Sequence, residues 1–166
     1  MRSIMVNYDY LFDKEDESFV SSGNGNGFDP EKICRKAAWI AEYFEMPFKG
    51  DESDIDTLEG ILRGLHVDYM NGRLEGEKII NAEITFGVYL GQFILDHCLG
   101  KYGFEWDLSD GVPCISKGKE NKVTPISRVH RHIVDGNKDD DVRGLYGVVK
   151  QLSEQIFKSQ DESANS

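Results

Sequence analysis

The spacing of apolar residues changes once along this chain, and that change constrains the fold more than any other feature. From Asp29 to Leu99 the apolar positions recur every three or four residues, whereas from Gly103 to Leu108 apolar and charged residues alternate. A spacing near 3.6 belongs to a helix with one buried face, and a spacing of two to a half-buried strand. Asp29-Pro30-Glu31 supplies a capping side chain, a proline at the first helical position and an acid in the first turn. Ile33, Ala37, Ile40, Ala41 and Phe44 then follow at helical spacing until Met46-Pro47 stops the run. A second helix is expected from near Ser53, carrying Ile55, Leu58, Ile61, Leu62, Leu65 and Tyr69 and ending at Asn71-Gly72. The third is expected from Gly76 to Leu99, with Ile80, Ile84, Val88, Gly91, Leu95 and Cys98 on its inward face. Gly87 and Gly91, four apart on it, allow another backbone to come close.

Three short strands are expected next, over Gly103–Leu108, Val112–Ser116 and Lys122–Thr124, separated by turns at Ser109-Asp110-Gly111 and Gly118–Asn121. Pro125 opens a helix with Ile126, Val129 and Ile133 that closes at Asp135-Gly136. A last helix starts around Asp139–Asp141 and carries Val142, Leu145, Tyr146, Val149, Leu152 and Phe157. The expectation is an α+β, mainly helical domain of about five helices with a three-stranded antiparallel meander near residues 103–124. It is expected to span residues 29–158. Residues 1–28 read as an apolar strip or short strand (Met5–Phe12) followed by a flexible acidic and Gly/Asn linker, and 159–166 as a disordered tail.

At 166 residues and 39% hydrophobic the chain suits one domain with a real core. No apolar run approaches the roughly 18 residues of a membrane span, so no membrane partner is expected. A net charge of −11 argues against nucleic acid as a partner, because phosphate binding needs a basic surface. The start of the chain lacks a continuous apolar stretch and meets acid at Asp9 and Asp13, which argues against a secretory signal. Cys34, Cys98 and Cys114 are odd in number and far apart, as expected for reduced thiols in a cytoplasmic protein.

A search for chemistry returns little, so neither metal, cofactor nor catalytic residue is expected. His130 and His132 stand two apart on a helix and point to different faces, so they cannot both reach one ion. Asn137, Asp139 and Asp141 alternate as calcium ligands do. The glycine and glutamate such a loop requires are Val142 and Val148 here, and a helix cap explains the acids better. Ser21–Gly27 lacks the Gly-Lys-Ser/Thr ending of a phosphate loop. An enzyme would have to assemble a dispersed histidine and carboxylate site around His97, His130 or His132.

Charge is the positive signal. Residues 1–60 hold 14 acids and 6 bases, and residues 61–166 hold 16 and 13. Asp51, Glu52, Asp54, Asp56 and Glu59 form one cluster with no base among them. Such crowding is read either as a solvated face or as an acidic surface that meets a basic partner. Asp13, Glu15, Asp16 and Glu17 would add a second, mobile acidic contribution. Lys117, Lys119, Lys122, Arg128 and Arg131 are interrupted by Glu120 and lack interleaved aromatics, which fits a guarded hairpin edge.

The stretch Phe86-Gly87-Val88-Tyr89-Leu90-Gly91-Gln92-Phe93-Ile94, with Gly103, Trp106, Pro125, Val129 and Gly136 after it, resembles a family of small bacterial proteins. Several members are similar to immunity proteins of contact-dependent or secreted toxin systems. The likeness covers roughly residues 80–150 and rests on glycines, a tryptophan and apolar positions. It implies a helix, a short meander and two further helices, and carries no catalytic residue. Together with the acidic cluster, it leads to the expectation of an immunity protein whose acidic surface occludes a basic cleft of a cognate toxin. A dispersed-site enzyme and a self-associating adaptor, joined through the Gly87/Gly91 face, are the alternatives.

Overall fold

In the computed structural model, which describes residues 6–12, 27–157 and 159, the chain is α+β and mainly helical. The elements run α1 (Tyr8–Leu11), α2 (Pro30–Tyr43), α3 (Asp54–Met70), α4 (Glu77–Ile94), β1 (Glu105–Asp107), β2 (Cys114–Lys117), β3 (Asn121–Val123), α5 (Pro125–Asp135) and α6 (Val142–Leu152). Wider π turns extend α4 through Leu95–Leu99 and α6 through Ser153–Phe157. The five longer helices are those the periodicity predicts.

Local chemistry sets the boundaries. The Asp29 carboxylate accepts from the Lys32 amide at 3.1 Å, capping α2 behind Pro30. Pro125 opens α5, and Gly136 closes it in the left-handed conformation, φ 62°, with its amide donating to the Arg131 and His132 carbonyls. Asp141 caps α6 by accepting from the Arg143 amide at 2.7 Å, so of the three acids there it is the one that acts as a helix cap.

The strip before the linker folds as one helical turn rather than a strand. Asn7 accepts from the Tyr10 amide at 3.1 Å, and Tyr8, Leu11 and Phe12 sink into the main core. A strand would send Leu11 and Phe12 to opposite sides; the helical turn lets both be buried. Residues 13–26, where the linker is expected, and all of the expected tail except Ser159 lie outside the described residues.

α4 is the central helix, between α2 and α5. Its inward surface is therefore broader than a single stripe: Ala82, Phe86, Leu90, Phe93 and Ile94 enter the main core, and Val88 joins Ile33 and Ile126 in a smaller cluster. Ile80, expected inward, is 53% exposed because it lies beyond the reach of the flanking helices. Gly87 and Gly91 are filled from within the chain. A Cβ at Gly87 would stand 2.6 Å from the Cα of Ile126, and one at Gly91 would stand 2.3 Å from the Trp106 ring. The face that could have served self-association is thus an internal seam.

The strands form an antiparallel sheet in the order β1-β2-β3, with Trp106 opposite Ile115 and Ser116 opposite Lys122. Expected to begin at Val112, β2 begins at Cys114, because Val112 remains in the exposed turn. Asp107 holds that turn by accepting from the Ser109 amide, the Ser109 hydroxyl and the Ser116 hydroxyl, and these bonds draw its pKa down to about 2. Trp106 donates its indole N–H to Gln92 at 3.0 Å, pinning the sheet to α4. Among the described residues, no helix is long and apolar enough to cross a membrane.

Candidate functional site

The five clustered acids occupy the entry to α3 and its first turns, and the helix divides them. Ile55, Leu58, Leu62 and Leu65 make its buried stripe, and Glu59, four residues after Ile55, falls within that stripe. Glu59 is 3% exposed. Its carboxylate accepts from His132 Nε2 at 2.7 and 2.9 Å, from the Val142 amide at 3.3 Å and from Arg63 Nε at 3.3 Å. Asp54 is equally enclosed and turns back on the preceding loop, accepting from the Lys49 and Gly50 amides at 2.7 and 2.8 Å and from the Tyr89 hydroxyl at 3.2 Å. Asp54 and Glu59 therefore cannot form part of an open partner surface. A buried carboxylate is retained only where donors replace its water, and both have three or more.

The outward acids are Asp51, Glu52 and Asp56. Asp51 accepts from the Ser53 amide at 2.9 Å and from the Ser53 hydroxyl; these bonds, with Lys49 and His97 nearby, hold its carboxyl below the usual range. Glu52 reaches across to α6, accepting from Lys150 Nζ at 2.7 Å and the Tyr146 hydroxyl at 2.8 Å, which likewise lower its pKa. Asp56 is the freest of the three, 68% exposed with Arg143 at 3.8 Å. Asp13, Glu15, Asp16 and Glu17 lie outside the described residues.

Beneath the outward acids runs a ladder of rings that the sequence reading missed. Phe48 stacks on Tyr89 at 4.0 Å, and Phe93 lies 6.3 Å from Tyr89, 4.2 Å from His97 and 5.2 Å from Tyr146. Its signal is the four-residue spacing of Tyr89, Phe93 and His97, which places three rings along one line of a helix. Tyr89 holds Asp54 and Tyr146 holds Glu52, so the acidic end of α3 rests on a packed aromatic base. A second surface feature also escaped the sequence reading. Tyr10 and Trp39, 61% and 41% exposed, meet edge to face at 5.5 Å on α1 and α2.

The histidines are held apart by different partners. His132 is enclosed against Glu59, whereas the half-exposed His130 meets Glu83 at 2.5 Å, on opposite faces of α5 as their spacing requires. His66 donates from Nδ1 to the Ile133 carbonyl at 2.7 Å, and His97 lies against Phe93. No group of three or more His, Cys, Asp or Glu side chains among the described residues could hold a metal ion. Burial pushes the Cys34 thiol up to about 12, with Asp96 and Glu31 adding to it, and also raises Cys98 and Cys114. Such thiols are protonated and poorly nucleophilic near neutral pH.

Cations after the meander are engaged internally. Lys122 pairs with Asp110, while Arg128 donates to the Asp139 carbonyl at 3.0 Å and shares Asp140 with Arg131. Comparison with family models, curated proteins and solved structures finds no match to this chain.

Proposed function

We propose that this chain is a binding protein of the immunity type, which covers a basic cleft of a cognate toxin and performs no bond-making itself. The observation that carries this reading is the division of the acidic cluster: Asp54 and Glu59 anchor the start of α3, while Asp51, Glu52 and Asp56 face solvent on that anchored base. A rigid base favours recognition, since little ordering entropy is lost when a fixed charge array meets its partner. The net charge of −11 extends the same field and would speed encounter with a basic surface. Internal bonds at His66, His130 and His132, together with raised thiol pKa values, are the use of these groups that the binding reading requires. Tyr10 and Trp39 supply exposed aromatic surface of the kind that anchors protein interfaces.

The test uses the protein encoded by the neighbouring reading frame as the partner. Calorimetric titration is expected to give a complex whose affinity falls with added salt, and growth of cells expressing that protein is expected to be restored by this chain. Asp51→Lys with Asp56→Lys should weaken the complex, mainly through a slower association rate, and leave the unfolding midpoint in place. Unchanged affinity in that variant, or turnover of a substrate by the isolated chain, would overturn the reading.

A further inference from the structure

The Glu59–His132 pair does more than give a buried carboxylate its donor. Both side chains are 5% exposed, and they join three helices: Glu59 lies on α3, His132 on α5, and the Glu59 carboxylate also accepts from the Val142 amide, the first residue of α6. Arg63, which bonds Glu59, stands 3.7 Å from Asp141, the cap of that same helix. The opening of α6 is thus tied to the rest of the fold through one carboxylate whose principal partner is an imidazole, a side chain that can change its charge by gaining or losing a proton.

We infer that Glu59 and His132 form a proton-dependent latch, closed while His132 carries its proton and loosened when it loses it, that fixes the start of α6 on α3 and α5. A charged imidazolium gives Glu59 a charge-assisted bond, and the neutral ring leaves a buried carboxylate with weaker donors. The surroundings are mixed. His132 meets Glu59 of α3 and feels Asp141 at the entry to α6. Around them Arg63 bonds Glu59 and stands near Asp141, Arg143 pairs with Asp141, and Arg128 and Arg131 of α5 share Asp140. His66 is bonded to the Ile133 carbonyl, and Glu83 of α4 is taken by His130 on the opposite face. Burial alone pushes the imidazole down, but the Glu59 hydrogen bond and charge, with Asp141 beyond, hold it above its ordinary 6.5.

The direction of the effect follows from linkage. A group whose pKa is raised in the folded state contributes its full stability below the unfolded value and loses it as pH rises through the folded one. The latch therefore opens on the alkaline side. Its effect reaches the surface, because α6 carries Tyr146 and Lys150, the two residues that hold Glu52. Loosening α6 would release Glu52 and redraw the outward acidic face. That last link rests on the proposed binding reading, whereas the latch itself is tested on the free chain.

Amide hydrogen exchange, corrected for the intrinsic rate at each pH, reads the latch directly between about pH 6 and about pH 9, alongside the NMR titration of the His132 ring. Protection over residues 142–152 is expected to fall roughly tenfold, the loss that accompanies replacing a charge-assisted hydrogen bond by a neutral one. Amides of residues 88–94, beyond the turn that holds the Glu83–His130 contact, should keep theirs, and the midpoint should coincide with the ring titration. In Glu59→Gln the α6 amides should be weakly protected and flat with pH. His132→Gln, which keeps a donor but cannot titrate, should also be flat if the first variant fails to fold. Titration of His132 with no change in α6, or a loss shared equally by α4, would overturn the latch. Either result would leave binding of a basic partner untouched.

Discussion

The seam between α4 and α5 and the seam between α3 and α6 join helices of similar length by different physics. At the first, Gly87 and Gly91 give way to Ile126 and Pro125 of α5, with the Trp106 ring of β1 beside Gly91, and contact there depends on shape. At the second, Glu59, Arg63, Asp141 and Arg143 meet through charge and hydrogen bonds, with Glu52 bridging to Tyr146 and Lys150. The glycine contacts of the shape-matched seam carry no group that responds to protons or salt, and its Glu83–His130 pair lies one turn away on each helix. The polar seam depends on both, and it shares its acids with the surface proposed to bind a partner.

Breaking the polar seam should have the largest effect. Glu59→Ala leaves a buried imidazole and the Val142 amide without their acceptor, and chemical denaturation should show a loss of about 3–5 kcal/mol. Gly87→Ala attacks the other seam. Its Cβ meets backbone rather than a movable side-chain end, so α5 must shift, at a cost of about 1–3 kcal/mol in the same assay. Asp54→Ala strands two amides and the Tyr89 hydroxyl, and about 1–3 kcal/mol should be lost, with part restored in Asp54→Asn.

Proton dependence sharpens the contrast. Because His132 is held above 6.5, its contribution is complete below that value and declines as pH rises through the folded one; unfolding of Gly87→Ala should keep this decline, and His132→Gln should lack it. The smallest effect belongs to the surface. Asp56→Ala should change stability by no more than about 0.5 kcal/mol, since its charge is hydrated and its arginine lies at 3.8 Å.

The two seams also differ in how far the sequence reveals them. Asp29-Pro30, Pro125 and Gly136 mark helix ends because capping and backbone freedom act within a few residues. Gly87 and Gly91 signal close approach by their spacing, although the ring that fills Gly91 is not evident from it. The sequence groups the five acids together because density of charge does not give direction, and only Asp54 and Glu59 turn inward. Glu59 finds His132 73 residues away, and Glu52 finds Lys150 98 residues away, pairings no local pattern encodes. One clue was available: Glu59 occupies a position that the Ile55–Leu58–Leu62–Leu65 stripe assigns to the core, as His132 does beside Val129 and Ile133. Ile80 shows the reverse case, an apolar residue on a helical stripe that no neighbouring helix covers.

The division of the acidic cluster is tested most directly by removing the same two charges from either side of it and comparing unfolding midpoints in denaturant. Asp51→Asn with Asp56→Asn should unfold with the parent chain, whereas Asp54→Asn with Glu59→Gln should lose about 3 kcal/mol or more, because only the second pair faces inward. Equal losses, or equal gains from relieved repulsion, would mean that charge density rather than orientation governs these residues, and the account would fail.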